Sequence, residues 1–236
     1  MPRRRRYGVK RRRTRSTYRR RRKRWVTRYK KKHPLVNIVS MHRFGWPKQA
    51  KQTFKYGRRF NITSSGGNVA ALLNIRANAP QDPEASLGGD NAYGWDQFMG
   101  TLYDRCYVYA AKITVTFTPL PGAPYYGGIH THAFTSTSLT TPELFMNQPN
   151  EPYVTLSQYG APKKMTRVIN IRKWLPFASK DDLASDSLSN PAQTVDFQIW
   201  CTQGNPASTT ALTFTGDYSI EYYCILGRQD IMPPSV

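Results

Sequence analysis

Acidic residues are missing from the first quarter of this 236-residue chain. Residues 1–59 contain 25 Lys and Arg and no Asp or Glu, whereas the remaining 177 residues contain 10 Lys and Arg against 14 Asp and Glu. The formal charge of +21 therefore divides into +25 before residue 60 and −4 after it. A polycation this dense repels itself and has little apolar surface to bury, so it cannot condense alone. It needs a polyanion, and a nucleic-acid backbone is the strongest candidate.

Cysteines, long apolar runs and catalytic motifs are also scarce. Cys106, Cys201 and Cys224 are odd in number and far apart, which predicts reduced, buried thiols rather than a disulfide framework or a zinc site. No run of about 18 apolar residues occurs, so we expect a soluble protein without membrane insertion. The patterns G-x-S-x-G, H-E-x-x-H and the P-loop are absent. The sequence predicts a protein that is not an enzyme and uses no cofactor.

Residues 1–32 are predicted to be a disordered arm that binds nucleic acid. They contain 14 Arg and 5 Lys, and Arg can bind phosphate bidentately and stack on bases. The same clusters are typical of nuclear localisation signals. Aromatic residues between the basic runs can stack on unpaired bases, and these candidates are Tyr7, Tyr18, Trp25 and Tyr29. The residues predicted to bind nucleic acid and direct nuclear import are Arg3, Arg4, Arg5, Arg6, Lys10, Arg11, Arg12, Arg13, Arg15, Arg19, Arg20, Arg21, Arg22, Lys23, Arg24, Arg28, Lys30, Lys31 and Lys32.

Residues 33–59 are interpreted as a basic neck between the arm and the folded part. Here basic residues alternate with aromatic ones, so the positive surface is expected to continue onto one face of the body. The predicted phosphate contacts of the neck are Arg43, Lys48, Lys51, Lys55, Arg58 and Arg59.

Residues 60–236 are predicted to be one all-β domain. Strict alternation of apolar and polar residues indicates strands at 108–118, 195–201 and 218–226. Weaker signals suggest strands at 53–63, 68–76, 128–135, 166–173 and 211–215. Roughly eight strands is the number used by a two-sheet jelly roll. Helical spacing occurs only at 95–103, where we expect a short helix across one edge of the sandwich.

Long polar connections separate these strands, at 81–93, 120–127, 136–152 and 176–191. His130 and His132 share one strand face as a metal pair would, but no third ligand is predictable from the sequence. Asp181, Asp182 and Asp186 lie in a polar loop without the spacing of a calcium loop. Neither set amounts to a predicted metal site.

The layout of the chain resembles the capsid proteins of circoviruses, cycloviruses and related small circular single-stranded DNA viruses. The resemblance rests on the basic arm 1–32, on the segments 94–98, 102–108 and 112–117, and on the terminal strand 217–228. Total length also fits. The middle segments, from GWDQF through LYDRCYV to KITVTF, are the most specific part of the match.

This resemblance implies a jelly-roll body of which 60 copies close into an icosahedral shell, with the arms pointing inward onto genomic DNA. It further implies nuclear import through host import receptors, and outward loops at 136–152 and 176–191 that meet a host cell-surface receptor. Virion and host nucleus are the expected locations. The arm residues alone suit DNA and RNA equally, because they contact phosphates and bases common to both.

A cellular nucleic-acid-binding protein with a basic tail, of ribosomal or chromatin type, is the main alternative. Such proteins usually have a basic globular face and a smaller body, whereas this body is slightly acidic and rich in loops. A nuclease is a further alternative, but it would need clustered acidic metal ligands, and no such cluster is visible in the sequence.

Overall fold

A computed structural model describes residues 49–66, 69–84, 86–88, 90–121, 123–133, 141–149, 151–205 and 207–228. These residues all belong to the compact unit Ser40–Val236. The predicted arm, residues 1–32, lies outside the described residues. Arg43 and Lys48 of the predicted neck lie outside them as well.

Nine strands and three short helices occur in the described part of the chain. The strands are β1 (Gln49–Thr63), β2 (Ala71–Arg76), β3 (Arg105–Phe117), β4 (Tyr125–Ala133), β5 (Tyr153–Leu156), β6 (Lys163–Asn170), β7 (Ala184–Asp186), β8 (Val195–Gln203) and β9 (Thr213–Gly227). The helices are α1 (Trp95–Phe98), α2 (Pro142–Met146) and α3 (Ile171–Trp174). No helix among these residues is long and apolar enough to cross a bilayer.

The strands form two antiparallel sheets. The larger sheet has the order β1-β9-β3-β6, with β7 added beside β3, and the smaller has the order β2-β8-β4-β5. Every strand pairing is antiparallel. Eight strands divided in this way between two sheets are the arrangement of a jelly roll, and the three-residue β7 is an addition to it. The predicted all-β jelly-roll fold is confirmed.

The core lies between the sheets and is built by alternation along the central strands. In β9 every second side chain from Phe214 to Leu226 is buried, and its partner β3 buries Ile113, Val115 and Phe117 in the same way. A bulge in β3 between Val108 and Ala110 adds one residue, so the alternation changes phase there. All three cysteines are buried and free, as the sequence predicts.

The smaller sheet is covered on its outer face as well. All nine residues of β8 are buried, and α2 covers Trp200 on the side of the strand that faces away from the core. Phe145 of α2 stacks on Trp200 of β8 with ring centroids 5.0 Å apart. The connection predicted at 136–152 therefore contributes packing to the sheet in its described part.

The single predicted helix is shorter than the apolar spacing suggested. It ends at Phe98, since Met99 is extended and Gly100 has a φ of +78°, and both interrupt helical geometry. The strand predicted at 128–135 begins earlier, at Tyr125. Gly127, which the sequence places in the connection at 120–127, and Gly128 both lie within this strand, where the rings of Phe117 and Trp200 pack directly on their backbone and require glycine.

Residues 49–59 of the predicted neck are part of a strand. β1 crosses the expected boundary at residue 60 and pairs with β9 over its whole length, from Gln49 opposite Gly227 to Thr63 opposite Thr213. Phe54 and Phe60 of β1 point into the core. The described end of the neck therefore belongs to the sandwich.

Candidate nucleic-acid interface

Three of the residues predicted as phosphate contacts of the neck lie on the exposed face of the larger sheet. Successive side chains of a strand point to opposite faces, and Phe54 and Phe60 face the core, so Lys51, Lys55 and Arg59 face outward. All three are exposed. The spacing of four residues between them places their charges along one line of β1.

Two cations from other strands share this face with two carboxylates. Lys112 of β3 bonds Glu221 of β9, with Nζ and Oε2 3.2 Å apart, and Glu221 lies opposite Lys55. Lys164 of β6 lies opposite Thr116, on the same outward side of β3. Asp217 of β9 is the second carboxylate. Together with the three cations of β1, these residues leave the face with an excess of three positive charges.

The ion pairs on this face neutralise only a small part of its positive charge. Arg59 Nε lies 3.3 Å from Asp217 Oδ1, but the two side chains are 92% and 60% exposed, so water screens the pair. The pKa of Glu221 is lowered, first by the hydrogen bond from Tyr223 and then by the one from Lys112. Glu221 therefore stays ionised and orients Lys112, while Lys51, Lys55 and Lys164 have no ion-pair partner among the described residues.

Aromatic and hydroxyl side chains lie between the charges. Tyr223 of β9 donates a hydrogen bond from its hydroxyl to Glu221 Oε2 at 3.0 Å. Its ring lies 6.4 Å from that of Tyr109, which is 37% exposed. Thr114 and Thr166 share a hydrogen bond of 3.2 Å across β3 and β6. A cationic surface with partly exposed aromatic rings and hydroxyl groups has the chemistry that single-stranded nucleic acid requires.

Arg58 does not join this surface. It lies on the opposite side of β1 from Arg59, and its Nη1 donates to Asp90 Oδ2 at 2.7 Å. The Tyr56 hydroxyl bonds the same carboxylate oxygen at 3.3 Å. The Arg58 guanidinium therefore forms its ion pair with the 81–93 connection. The neck residues predicted as one group divide into an outward set on β1 and Arg58.

Lys112, Lys164 and Tyr223 were not predicted as site residues. The alternation at 108–118 already placed Lys112 on the wet face of its strand, so a signal existed for that residue. Lys164 and Tyr223 are 52 and 111 positions further along the chain, and only the strand order brings them beside it.

The two groups considered as metal ligands have other partners. His130 Nδ1 bonds Glu151, and His132 Nδ1 donates to Ala133 O at 3.1 Å. Asp181 and Asp186 pair with Arg105, and Asp182 accepts bonds from the backbone and hydroxyl of Ser179, as hydrogen-bond distances of 3.0 and 2.8 Å show. Within the described ranges, no three His, Cys, Asp or Glu side chains converge as metal ligands.

The cysteines show no sign of reactivity. Burial raises the pKa of the Cys201 and Cys224 thiols, and Cys224 also interacts with Cys106. A protonated, inaccessible thiol is a poor nucleophile.

No protein-family model matches the chain, and no curated protein sequence matches it. The solved structures to which it is similar include viral capsids. A decameric BFDV capsid protein is 9% identical with a TM-score of 0.43, covering 75% of this chain and 98% of that one. A 60-mer BFDV capsid protein is 9% identical with a TM-score of 0.43, covering 81% and 100%. Turnip yellow mosaic virus is 12% identical with a TM-score of 0.41, covering 84% and 92%. Because these identities and TM-scores are low, the fold is assigned from the strand order of the two sheets and not from the similarity to these structures.

Proposed function

We propose that this chain is the capsid protein of a small virus with a circular single-stranded DNA genome. Sixty copies of the jelly roll close into an icosahedral shell, and the basic arm binds the genome inside it. The role is structural and involves no catalysis. The observation that carries the proposal is the position of Lys51, Lys55 and Arg59 on the exposed face of a jelly-roll sheet, immediately after the basic segment in the sequence.

Charge balance supports packaging as the role of the arm. Sixty copies of residues 1–59, with a charge of +25 each, provide about 1,500 positive charges, most of them from the arm, and this suits a genome of one to two thousand phosphates by charge matching. The slightly acidic body imposes no large repulsion between neighbouring subunits. Their contacts can then rely on apolar area and shape.

The basic outward face of the larger sheet extends the same function into the folded domain. Its cations are fixed on a rigid sheet, so they lose less conformational freedom on binding than the residues of an unstructured chain. We propose that the arm supplies most of the affinity and that this face positions the polymer. In the cellular alternative, a basic tail would act beside a basic body, but the body carries four more acidic than basic residues.

Nuclear import and cell attachment complete the proposal. The Arg-rich clusters of residues 1–32 would bind host import receptors before assembly hides them. The connections at 136–152 and 176–191 would contact a host cell-surface receptor. Both assignments follow from the sequence pattern and the resemblance.

Assembly is tested by mixing the purified full-length chain with circular single-stranded DNA and imaging the product by electron microscopy. We expect uniform closed particles that contain DNA protected from added nuclease. Irregular aggregates, or particles whose DNA is fully digested, would contradict the capsid assignment.

A further inference from the structure

A groove of about 700 Å³ lies at the β6 edge of the larger sheet. Thr166, Val168 and Asn170 of β6 line it together with Ala110 of β3, and these are the outward residues of the two strands. The groove is therefore continuous with the cationic face described above. β6 is the edge strand of the sheet, and Pro152, Arg167 and Ile169 also line the groove around this edge.

Helix α3 closes one end of the groove with a cation and an aromatic ring. Lys173 and Trp174 both line it. The Asn170 side chain accepts a hydrogen bond of 3.3 Å from the backbone N–H of Lys173, which fixes the start of the helix against the end of β6. The backbone that carries the two side chains therefore has a defined position relative to the strand.

The segment that carries the groove has unbalanced charge. Five exposed cations between residues 163 and 180 have no ion-pair partner in the described part of the chain. Lys173 lines the groove and Arg172 precedes it in α3, whereas Lys163 and Lys164 lie at the opposite end of β6 and Lys180 lies outside the groove. The body as a whole is acidic, yet half of its ten basic residues fall within this short segment and have no ion-pair partner among the described residues. A site of this kind attracts an anionic ligand.

The aromatic surface is exposed in the same place. Trp174 is 38% exposed and Val168 is 62% exposed, although both are large apolar residues. An exposed indole next to unpaired cations offers a stacking partner and a phosphate partner together.

We propose that this groove binds one unpaired nucleotide of single-stranded nucleic acid, with the base stacked on Trp174 and the adjoining phosphate on Lys173. The site rests on the packaging function proposed above and gives it a fixed contact on the folded domain. It would bind any base, because stacking uses the ring face that all bases share.

Two other occupants fit the groove less well. The core of a subunit interface is depleted in Lys, so a second copy of the chain would have to bury cations for which no partner is evident. A sulfated polysaccharide would satisfy the cations but offers the indole only the C–H face of a sugar ring, which is a weaker stacking partner than the π face of a base.

Photocrosslinking to the full-length chain tests the site without any substitution. An oligothymidine containing 5-iodouracil is bound at moderate salt, irradiated and digested, and the crosslinked residues are identified by mass spectrometry. We expect a crosslink at Trp174 in addition to crosslinks in the arm. Crosslinks confined to residues 1–32 would overturn the groove site while leaving packaging by the arm intact, whereas absence of any binding would overturn both.

Substitutions then measure the stacking contribution. The ratio of affinities for oligothymidine and for an abasic oligonucleotide of equal length reports base stacking separately from charge. Trp174→Ala should lower this ratio about fivefold to tenfold, and Trp174→Phe should restore most of it. Phe177→Ala is the matched control, since Phe177 is fully exposed but does not line the groove.

A charge control completes the series. Lys173→Gln should weaken crosslinking at Trp174 more than Lys180→Gln does, because Lys180 carries the same charge outside the groove. An unchanged ratio in Trp174→Ala would overturn the site. If Trp174→Ala altered only particle assembly, the occupant of the groove would be another subunit. If it altered only binding to a heparin fragment, the occupant would be a polysaccharide. Either result would overturn the nucleotide site.

Discussion

Glu151 connects three parts of the sandwich through one buried carboxylate. It accepts hydrogen bonds from Thr131 N and Arg167 Nη2, both at 3.1 Å, and it also bonds His130 Nδ1. Its side chain is only 6% exposed, so neither Glu151 nor Arg167 can exchange these contacts for water easily. The carboxylate thereby links β4 of the smaller sheet to β6 of the larger one.

Glu151→Ala should destabilise the fold strongly. Removing one partner of a buried ion pair leaves the other charge in a poorly solvated position, which typically costs about 3–5 kcal/mol. Chemical unfolding followed by circular dichroism measures the change. Glu143→Ala is the control, because Glu143 is exposed on α2 and its loss should change the unfolding free energy by no more than about 0.5 kcal/mol. Equal effects of the two substitutions would contradict the structural role of Glu151.

Gly128 is required by its neighbour rather than by its backbone conformation. A Cβ at this position would lie 2.7 Å from three atoms of the Trp200 indole. Gly128→Ala should therefore cost about 1–3 kcal/mol through overpacking. Adding Trp200→Phe should recover part of this loss, since the smaller ring makes room, and a double-mutant cycle of unfolding free energies measures the coupling. Strictly additive effects would show that the ring and the glycine do not meet.

Asp196 makes the stability of the smaller sheet depend on pH. Burial raises the pKa of its carboxyl, and the opposing effects of His132 and Arg76 are smaller. The folded state therefore holds this proton more tightly than the unfolded state does. The ionised carboxylate destabilises the fold above the raised pKa, and the penalty disappears as the pH falls through that pKa toward the ordinary carboxyl range.

Asp196→Asn should accordingly raise the unfolding free energy near neutral pH, and its advantage should vanish in acid. Unfolding curves of the two proteins across a pH series provide the comparison, with Glu143→Gln as a control that removes an exposed charge. An Asp196→Asn protein that is less stable than the parent at neutral pH would show that the attraction of His132 and Arg76 outweighs burial.

At the scale of elements, alternation predicted the strands that build the core and missed the short ones. In β3, β8 and β9, apolar and polar residues alternate over several residue pairs, so the existence of these strands and their core-facing sides were evident from sequence. β5 has four residues and β7 has three, which is too few for a periodic signal. These two strands exist because longer neighbours offer them free backbone groups to pair with.

The extent of β1 gives an element-scale prediction about where the folded domain begins. A chain that begins at residue 49 keeps all of β1 and should fold. A chain that begins at residue 60 loses Phe54 from the core and leaves most of β9 without a partner on that side, so it should not fold cooperatively. Circular dichroism and thermal unfolding distinguish them. A cooperative transition in the shorter chain would mean that residues 49–59 are not needed for the sandwich.

For the whole molecule, charge composition predicts a polyanionic ligand, which stays a prediction, and it gave no indication of the surface that the folded domain offers. The cations of β1 were recognisable because they are close in sequence. Lys112, Lys164 and Tyr223 come from three other strands, and their meeting on one face depends on the order β1-β9-β3-β6. The groove beside Trp174 depends equally on α3 folding back against the end of β6. Such juxtapositions have no signal in a single sequence.

The salt dependence of binding to single-stranded DNA tests the central claim most directly. Each phosphate contact contributes about −0.7 to the slope of log K against log salt concentration. The full-length chain should show a steep slope, and a chain lacking residues 1–32, with 19 fewer cations, should bind more weakly with a much shallower slope. Equal slopes for the two proteins would contradict the account, because the arm would then make no contact with the nucleic-acid backbone.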